Sequence, residues 1–375
     1  MRVVLFSHDG NLLGAQRMLL EYLEATAAEA EDRLVVSPTD GPLLAAVRAL
    51  PRHRARVEPR PPFGEGKARA VVRRLRYILR LARLLRRERP DAVYVNTISH
   101  TSPLIAAWLA RVPALVHVHE GRSFVKREFE PRMRFRVLRR LPRRVIAVSH
   151  ATAGFLREAG VPDARIRVVH NGIHLPPARA PGPRIEVPGP PGAPVVGMVG
   201  QVTARKGIHH LVAAAEAMRG NGVQARFVVV GGLGDQAYVR DLRACIARAG
   251  LDDVLHLAGF QPDVDAWFGA FDVFVNPAVE EPFARVNLEA MAHGLPVVAA
   301  DVDGTREAVA HGETGLLVPP ADPAALASAL TALVGDAALR RGMGERGRAR
   351  VVERFTHAPY CRAISGILAE TAGRR

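Results

Sequence analysis

Along the chain, short runs of β-branched and aliphatic residues alternate with longer stretches whose apolar positions recur every three or four residues. Runs that are apolar at nearly every position suit strands buried on both faces of a parallel sheet. The three-to-four spacing suits helices laid over that sheet. In the first half the predicted strands are Val3–Phe6, Arg33–Val36, Ala92–Val95, Ala114–Val118, Val145–Val148 and Arg167–Val169, with helical patterns such as Gln16–Glu29 and Val71–Glu88 between them. The alternation then stops. Pro176 to Pro194 contain eight prolines, which fix φ and remove backbone donors, so this segment reads as a semi-rigid connector. It restarts with Val195–Val199, Phe227–Val230, Val254–Leu257, Val273–Val275, Val297–Ala299 and Gly315–Val318. The reading is an α/β chain with two Rossmann-like, doubly wound domains facing a central cleft. The first spans 1–175, the linker 176–194 and the second 195–355, with a C-terminal helix over 356–375 expected to pack back on the first.

Composition narrows the picture. The 375 residues are 48% hydrophobic and 24% charged, as expected for a globular chain with material for more than one core. Only Cys245 and Cys361 occur, so a disulfide framework is excluded and a reducing cytoplasm is the expected compartment. The start, Arg2-Val3-Val4-Leu5-Phe6, reads as a strand rather than a signal peptide. The charge-free stretch Ala92–Ala110 carries Asn96, Thr97, Ser99, His100, Thr101, Ser102 and Pro103, which disfavour a membrane span. The formal charge of +15 rests on 49 arginines and only three lysines. A GC-rich genome would give that bias without function. Attraction to anionic lipid or to phosphorylated substrates is the alternative, and no nucleic-acid-binding module is present.

Two segments carry candidate chemistry. In Gly197-Met198-Val199-Gly200-Gln201-Val202-Thr203-Ala204-Arg205-Lys206-Gly207, a strand ends and a helix starts near Gly207, with two cations at its mouth. Backbone N–H groups there already favour an anion, so a phosphate fits. A solvated Arg-Lys pair is the plainer reading. In the second, Glu281 falls in the loop after a strand and Glu289 in the second turn of a helix beginning near Ala284. The N–H groups of Phe283 to Val286 suit a diphosphate and Glu289 suits paired sugar hydroxyls. In isolation, two glutamates eight apart are surface residues. His117-Val118-His119-Glu120 sits at a strand end, where a core histidine, a functional one and a zinc pair all stay open. Asp301-Val302-Asp303 has the form of a metal motif but follows a buried strand, and no metal is expected. The helix Lys67–Arg89 interleaves arginines with Val71, Val72, Leu75, Ile78, Leu79, Leu81 and Leu85, a spacing expected to bury one face and leave an arginine-rich one; a solvated face and an interfacial one on anionic lipid both fit.

Phe274–Ala300 resembles the signature of retaining glycosyltransferase family 4, of the glycosyltransferase-B fold. It stands here as Glu281-Pro282-Phe283-Ala284, then Glu289-Ala290-Met291-Ala292-His293-Gly294-Leu295-Pro296-Val297-Val298-Ala299. The resemblance extends through Val145–Ser149, Val168–Ile173, Arg205-Lys206-Gly207, Val228–Gly232 and Gly312–Val318. It implies that Arg205 and Lys206 hold the donor diphosphate, with Gly14 and the backbone of Phe283, Ala284 and Arg285. It further implies that Glu289 binds the ribose, that Glu281 contacts the donor sugar and that His119 lies near the reacting carbon. Three positions depart from the family: Leu13-Gly14 for a glycine pair, Ala284 for glycine, and Asp303-Gly304 before Glu307.

The expected activity is therefore metal-independent, retaining hexosyl transfer from a UDP- or GDP-sugar co-substrate, with no cofactor, to an acceptor hydroxyl on a small molecule, glycan or lipid-linked carrier. The acceptor would be set by loops such as Phe63–Gly66 and Gly121–Pro131. The alternatives are a pseudo-glycosyltransferase or cyclitol-acting enzyme, and a peripheral membrane or polyanion-binding protein keeping the fold without activity. The expected location is cytoplasmic, with contact at the inner membrane face open and no nucleic-acid partner.

Overall fold

The continuous apolar runs become parallel strands in a computed structural model, which describes residues 1–29, 32–61, 67–122, 131–176 and 185–373. Phe63–Gly66, residues 123–130 of the second acceptor loop and residues 177–184 of the proline-rich connector lie outside the described residues. The chain divides into two units, Met1–Asn171 with His357–Arg375, and Gly172–Thr356.

In the first unit, β1 (Arg2–Phe6), β2 (Asp32–Ser37), β3 (His53–Val57), β4 (Ala92–Val95), β5 (Ala114–Val118), β6 (Arg144–Ala147) and β7 (Ile166–Val168) form a parallel sheet in the order β3-β2-β1-β4-β5-β6-β7. Its helices are α1 (Gly14–Ala25), α2 (Pro42–Ala49), α3 (Lys67–Glu88), α4 (Ser102–Ala110), α5 (Pro131–Arg140) and α6 (His150–Glu158). β4 and β5 are buried at every position, as continuous apolar runs require. The apolar pattern does not mark β3. It is an edge strand, His-Arg-Ala-Arg-Val, whose arginines face outward, so it lacks the run that marks the others.

The second unit has β8 (Val195–Val199), β9 (Arg226–Val230), β10 (Leu255–Gly259), β11 (Val273–Asn276), β12 (Val297–Ala300) and β13 (Gly315–Val318), again parallel, in the order β10-β9-β8-β11-β12-β13. Its helices are α7 (Ile208–Gly220), α8 (Gln236–Arg248), α9 (Val264–Ala270), α10 (Arg285–Ala292), α11 (Thr305–Ala308), α12 (Pro323–Gly335) and α13 (Ala337–Arg354). Strand order reverses direction between β8 and β11, the switch point at which ligands bind beyond the strand ends in such sheets.

The last helix, α14 (His357–Ala372), belongs to the first unit. Tyr360, Cys361, Ile364, Ile367 and Leu368 join a buried cluster with Leu5, Leu23, Tyr94, Leu115 and Ile146. The division falls at Asn171/Gly172, so Gly172–Leu175 go with the second unit. Among the described residues, no helix is long and apolar enough to cross a membrane.

Candidate functional site

β8 ends at Val199, and a short 3-10 turn, Ala204–Lys206, leads into α7. Gly207 joins them with φ of 67°, and a Cβ there would lie 2.1 Å from the carbonyl oxygen of Pro277. Only glycine allows that approach. It draws the Arg205-Lys206 turn against the loop after β11, where the Val279 N–H donates to the Arg205 carbonyl at 3.1 Å.

That loop carries Glu280 and Glu281. Lys206 Nζ donates to Glu281 Oε2 at 2.6 Å, both side chains being largely shielded from solvent. Arg205 Nη1 donates to the Glu280 carbonyl at 2.9 Å and stands 4.0 Å from Glu281 Oε2. The Glu281 backbone is itself braced: its N–H donates to Asp303 Oδ2 at 3.3 Å, and its carbonyl accepts from the Gly304 N–H at 3.3 Å. Asp303, read from sequence within a metal-like pair, is thus engaged as a loop brace. Asp301 meets Arg306 at 3.1 Å.

α10 starts at Arg285, with Ala284 at its cap and no side chain satisfying the first N–H groups. Ala284 has φ of −75°, which any residue adopts, so replacing glycine here costs little strain. The Arg285 N–H donates to the Phe283 carbonyl at 2.9 Å, closing a tight turn ahead of the helix. This corrects the expectation that the N–H groups of Phe283 to Val286 are all open; those of Ala284 and Val286 have no backbone acceptor among the described residues. One turn on, Arg285 and Glu289 form an ion pair at 2.9 Å, which fixes the carboxylate's direction. Behind them Asn276 Nδ2 donates to Asn287 Oδ1 at 3.0 Å, a buried bond tying β11 to α10. Arg205, Lys206 and Glu281 are therefore gathered at one mouth, with Arg285 and Glu289 on the helix that follows. Two cations and the positive end of a helix suit a polyanion.

The first unit places Gly14 at the start of α1, with nothing within 4 Å of an added Cβ. His117 is a core histidine: fully buried, with Nδ1 2.6 Å from the Tyr94 hydroxyl. His119 differs. Its side chain is half-buried by surface area, yet Nε2 is sealed from solvent without a hydrogen-bond partner among the described residues. Burial, with a smaller contribution from His8, pushes its pKa down to about 3, so the ring is neutral.

Glu120 went unassigned in the sequence. Its carboxylate accepts from Thr97 Oγ1, from Ser99 N–H (3.1 Å) and Oγ (2.8 Å), and from the His119 N–H (3.0 Å). It clamps the loop after β4 to the end of β5. A carboxylate directly after a strand-end histidine was the available signal.

With this geometry in place, similarity to known proteins becomes decisive. Residues 13–175 match the family described as Glycosyltransferase Family 4, and residues 193–336 match Glycosyl transferases group 1. The chain belongs to the group 1, family 4 glycosyltransferases. Similar curated proteins include a lipopolysaccharide core biosynthesis glycosyltransferase, LpsE, of Rhizobium meliloti, 29% identical over 78% of this chain and 79% of that protein. Another is the alpha-maltose-1-phosphate synthase of Mycolicibacterium smegmatis, 38% identical over 52% of this chain. The chain spans about half the length of that relative, 54%. Among solved structures, the Anabaena protein HepE in complex with UDP and glucose superposes with a TM-score of 0.82 at 24% identity, covering 99% of this chain and 100% of its own. WaaG, a glycosyltransferase involved in lipopolysaccharide biosynthesis, gives 0.72 at 19%, covering 98% and 99%. These likenesses show the fold: two parallel-sheet α/β domains of the glycosyltransferase-B type.

Proposed function

We propose that this glycosyltransferase moves a sugar from a nucleoside diphosphate sugar to an acceptor hydroxyl, with retention and without a metal ion. The observation that carries the reading is the Lys206–Glu281 contact at 2.6 Å, held beside Arg205 at the mouth of α7. A diphosphate entering there would exchange with Glu281 for Lys206 and meet Arg205 and the open N–H groups at the start of α10. Those cations and dipoles would stabilise the charge that builds on the departing diphosphate, and prearranged stabilisation of this kind supplies most of the rate gain in many enzymes. Glu281, released from Lys206, would turn to the sugar hydroxyls, and Glu289, oriented by Arg285, to the ribose.

UDP is the favoured base, because HepE, of the same fold, is known with UDP and with UDP-glucose. Retention rests on the family's pattern. So do the roles of Gly14 and His119; the latter, being neutral, would offer a hydrogen bond rather than a charge. The acceptor class follows from relatives that build lipopolysaccharide core and other glycans. Neutralisation of the diphosphate by Arg205 and Lys206 is what makes a metal unnecessary in this reading.

Steady-state kinetics with UDP-sugars test it. Lys206→Ala is expected to lower kcat/KM about 100-fold, mostly through kcat, as loss of one transition-state donor does. Glu289→Ala is expected to raise the donor KM. Unchanged donor kinetics in both variants would sink the site.

A further inference from the structure

Helix α3 buries one face through Tyr77, Ile78, Leu81, Ala82, Leu84 and Leu85. Its opposite face is not the purely polar surface that a solvated helix presents. Val71, Val72, Leu75 and Leu79 are 58%, 46%, 54% and 45% exposed. Positions 71, 75 and 79 stack at four-residue spacing, and 72 lies one turn before 75 and two before 79, so the four form one apolar stripe. Arginines line its edge: Arg69, Arg76, Arg83 and Arg87 are exposed with no acidic partner among the described residues. The one acidic side chain of α3, Glu88, is engaged by Arg54 at 2.8 Å. On the neighbouring α4, Trp108 is exposed beside Leu109, whose carbonyl accepts from Arg86 Nη2 at 2.9 Å.

We propose that this face of α3 docks the chain onto an anionic lipid bilayer, with the Val/Leu stripe seated at the headgroup–acyl boundary and the arginines among the headgroups. Charge and polarity together select the occupant. A nucleic acid would meet the arginines but leave the stripe in water. A second copy of the chain, stripe to stripe, would set arginine against arginine. A bilayer rich in anionic headgroups satisfies both features, as interfacial amphipathic helices do. The topology adds a consequence: α3 starts from the end of the sheet at which β4 and β5 finish, so its stripe lies toward the end of the first unit that carries His119 and Glu120. The docking itself requires no donor and stands independently of the transferase reading.

Co-sedimentation of the full chain with vesicles tests it, comparing pure phosphatidylcholine with an equimolar mixture of phosphatidylcholine and phosphatidylglycerol. The wild type is expected to partition onto the mixed vesicles and not onto the neutral ones. The triple variant Val71→Ser, Leu75→Ser, Leu79→Ser keeps every charge and alters only exposed side chains, so its melting temperature should match the wild type. Its partition should fall at least about tenfold, because interfacial binding scales with buried apolar area. Arg76→Ser with Arg83→Ser should weaken binding and flatten its salt dependence. No binding by the wild type, or full retention by the triple serine variant, would overturn the proposal. So would duplex DNA competing all of the protein off the vesicles, or a wild-type dimer that the serine variant converts to monomer.

Discussion

At the scale of single residues, the first unit buries imidazoles at the cost of their charged forms. His100 and His117 are held well below the ordinary histidine value by desolvation, and His119 is pushed down to about 3. Each has a structural reason: His100 Nε2 meets the Tyr77 hydroxyl at 3.1 Å, His117 Nδ1 meets Tyr94, and His119 packs against His117 with ring centroids 4.0 Å apart and the planes tilted by 36°. All three are neutral in the fold, whereas in the unfolded chain they protonate near 6.5. As pH falls below that value the unfolded state takes up protons that the fold refuses. Stability is therefore full above 6.5 and lost as pH drops, by up to about 1.4 kcal/mol per pH unit for each histidine. Urea unfolding of the first unit from neutrality to about pH 5 should show this slope, with His8 and His53, also lowered by burial, adding to it, and His119→Asn should flatten it by up to about 1.4 kcal/mol per pH unit. A flat profile would mean that the rings protonate in place.

At the scale of elements, the donor mouth depends on one close approach. Gly207 takes a left-handed φ and leaves no room for a Cβ against Pro277, so Gly207→Ala must push the Arg205-Lys206 turn away from the Glu280-Glu281 loop. The strain and the displaced loop should cost roughly 2–3 kcal/mol and raise the donor KM. Gly220→Ala, at the far end of the same helix and with nothing within 4 Å, serves as control and should be neutral or stabilising by up to about 1 kcal/mol. Equal behaviour of the two variants in thermal melts and donor kinetics would refute the mechanical role of Gly207. The contrast also shows what the sequence makes legible. β4, β5 and β8 fall at the residues that their apolar runs mark, because central strands buried on both faces need nothing else. β3 escapes, since an edge strand with arginines at alternate positions has no such run. Lys206 and Glu281 are flagged by local motifs 75 positions apart, but their contact is a product of folding. Asp303 and Glu120 brace backbone from elsewhere in the chain, and no local pattern encodes a partner that only tertiary structure supplies.

At the scale of the whole molecule, the first unit is discontinuous: the chain leaves it at Asn171, builds the second unit, and returns at His357. Its core is complete only when α14 arrives, since Ile364 and Leu368 are buried against the sheet and Tyr22 meets Ser365 at 3.1 Å. Closing a core through residues so distant in sequence carries a loop-closure cost that local contacts avoid, so the first unit should fold after the second. Ile364→Ala removes buried methyl groups from this junction and is expected to destabilise the first unit by about 2–5 kcal/mol. The sequence provides its own reporters. Of the two tryptophans, Trp108 sits on α4 in the first unit and Trp267 on α9 in the second. In a Trp267→Phe background, urea unfolding followed by Trp108 fluorescence should shift to lower denaturant when Ile364→Ala is added. In a Trp108→Phe background, the Trp267 transition should stay where it was. If both reporters move together by the same amount, the two units unfold as one cooperative block, and the C-terminal helix stabilises the molecule as a whole rather than the core it completes.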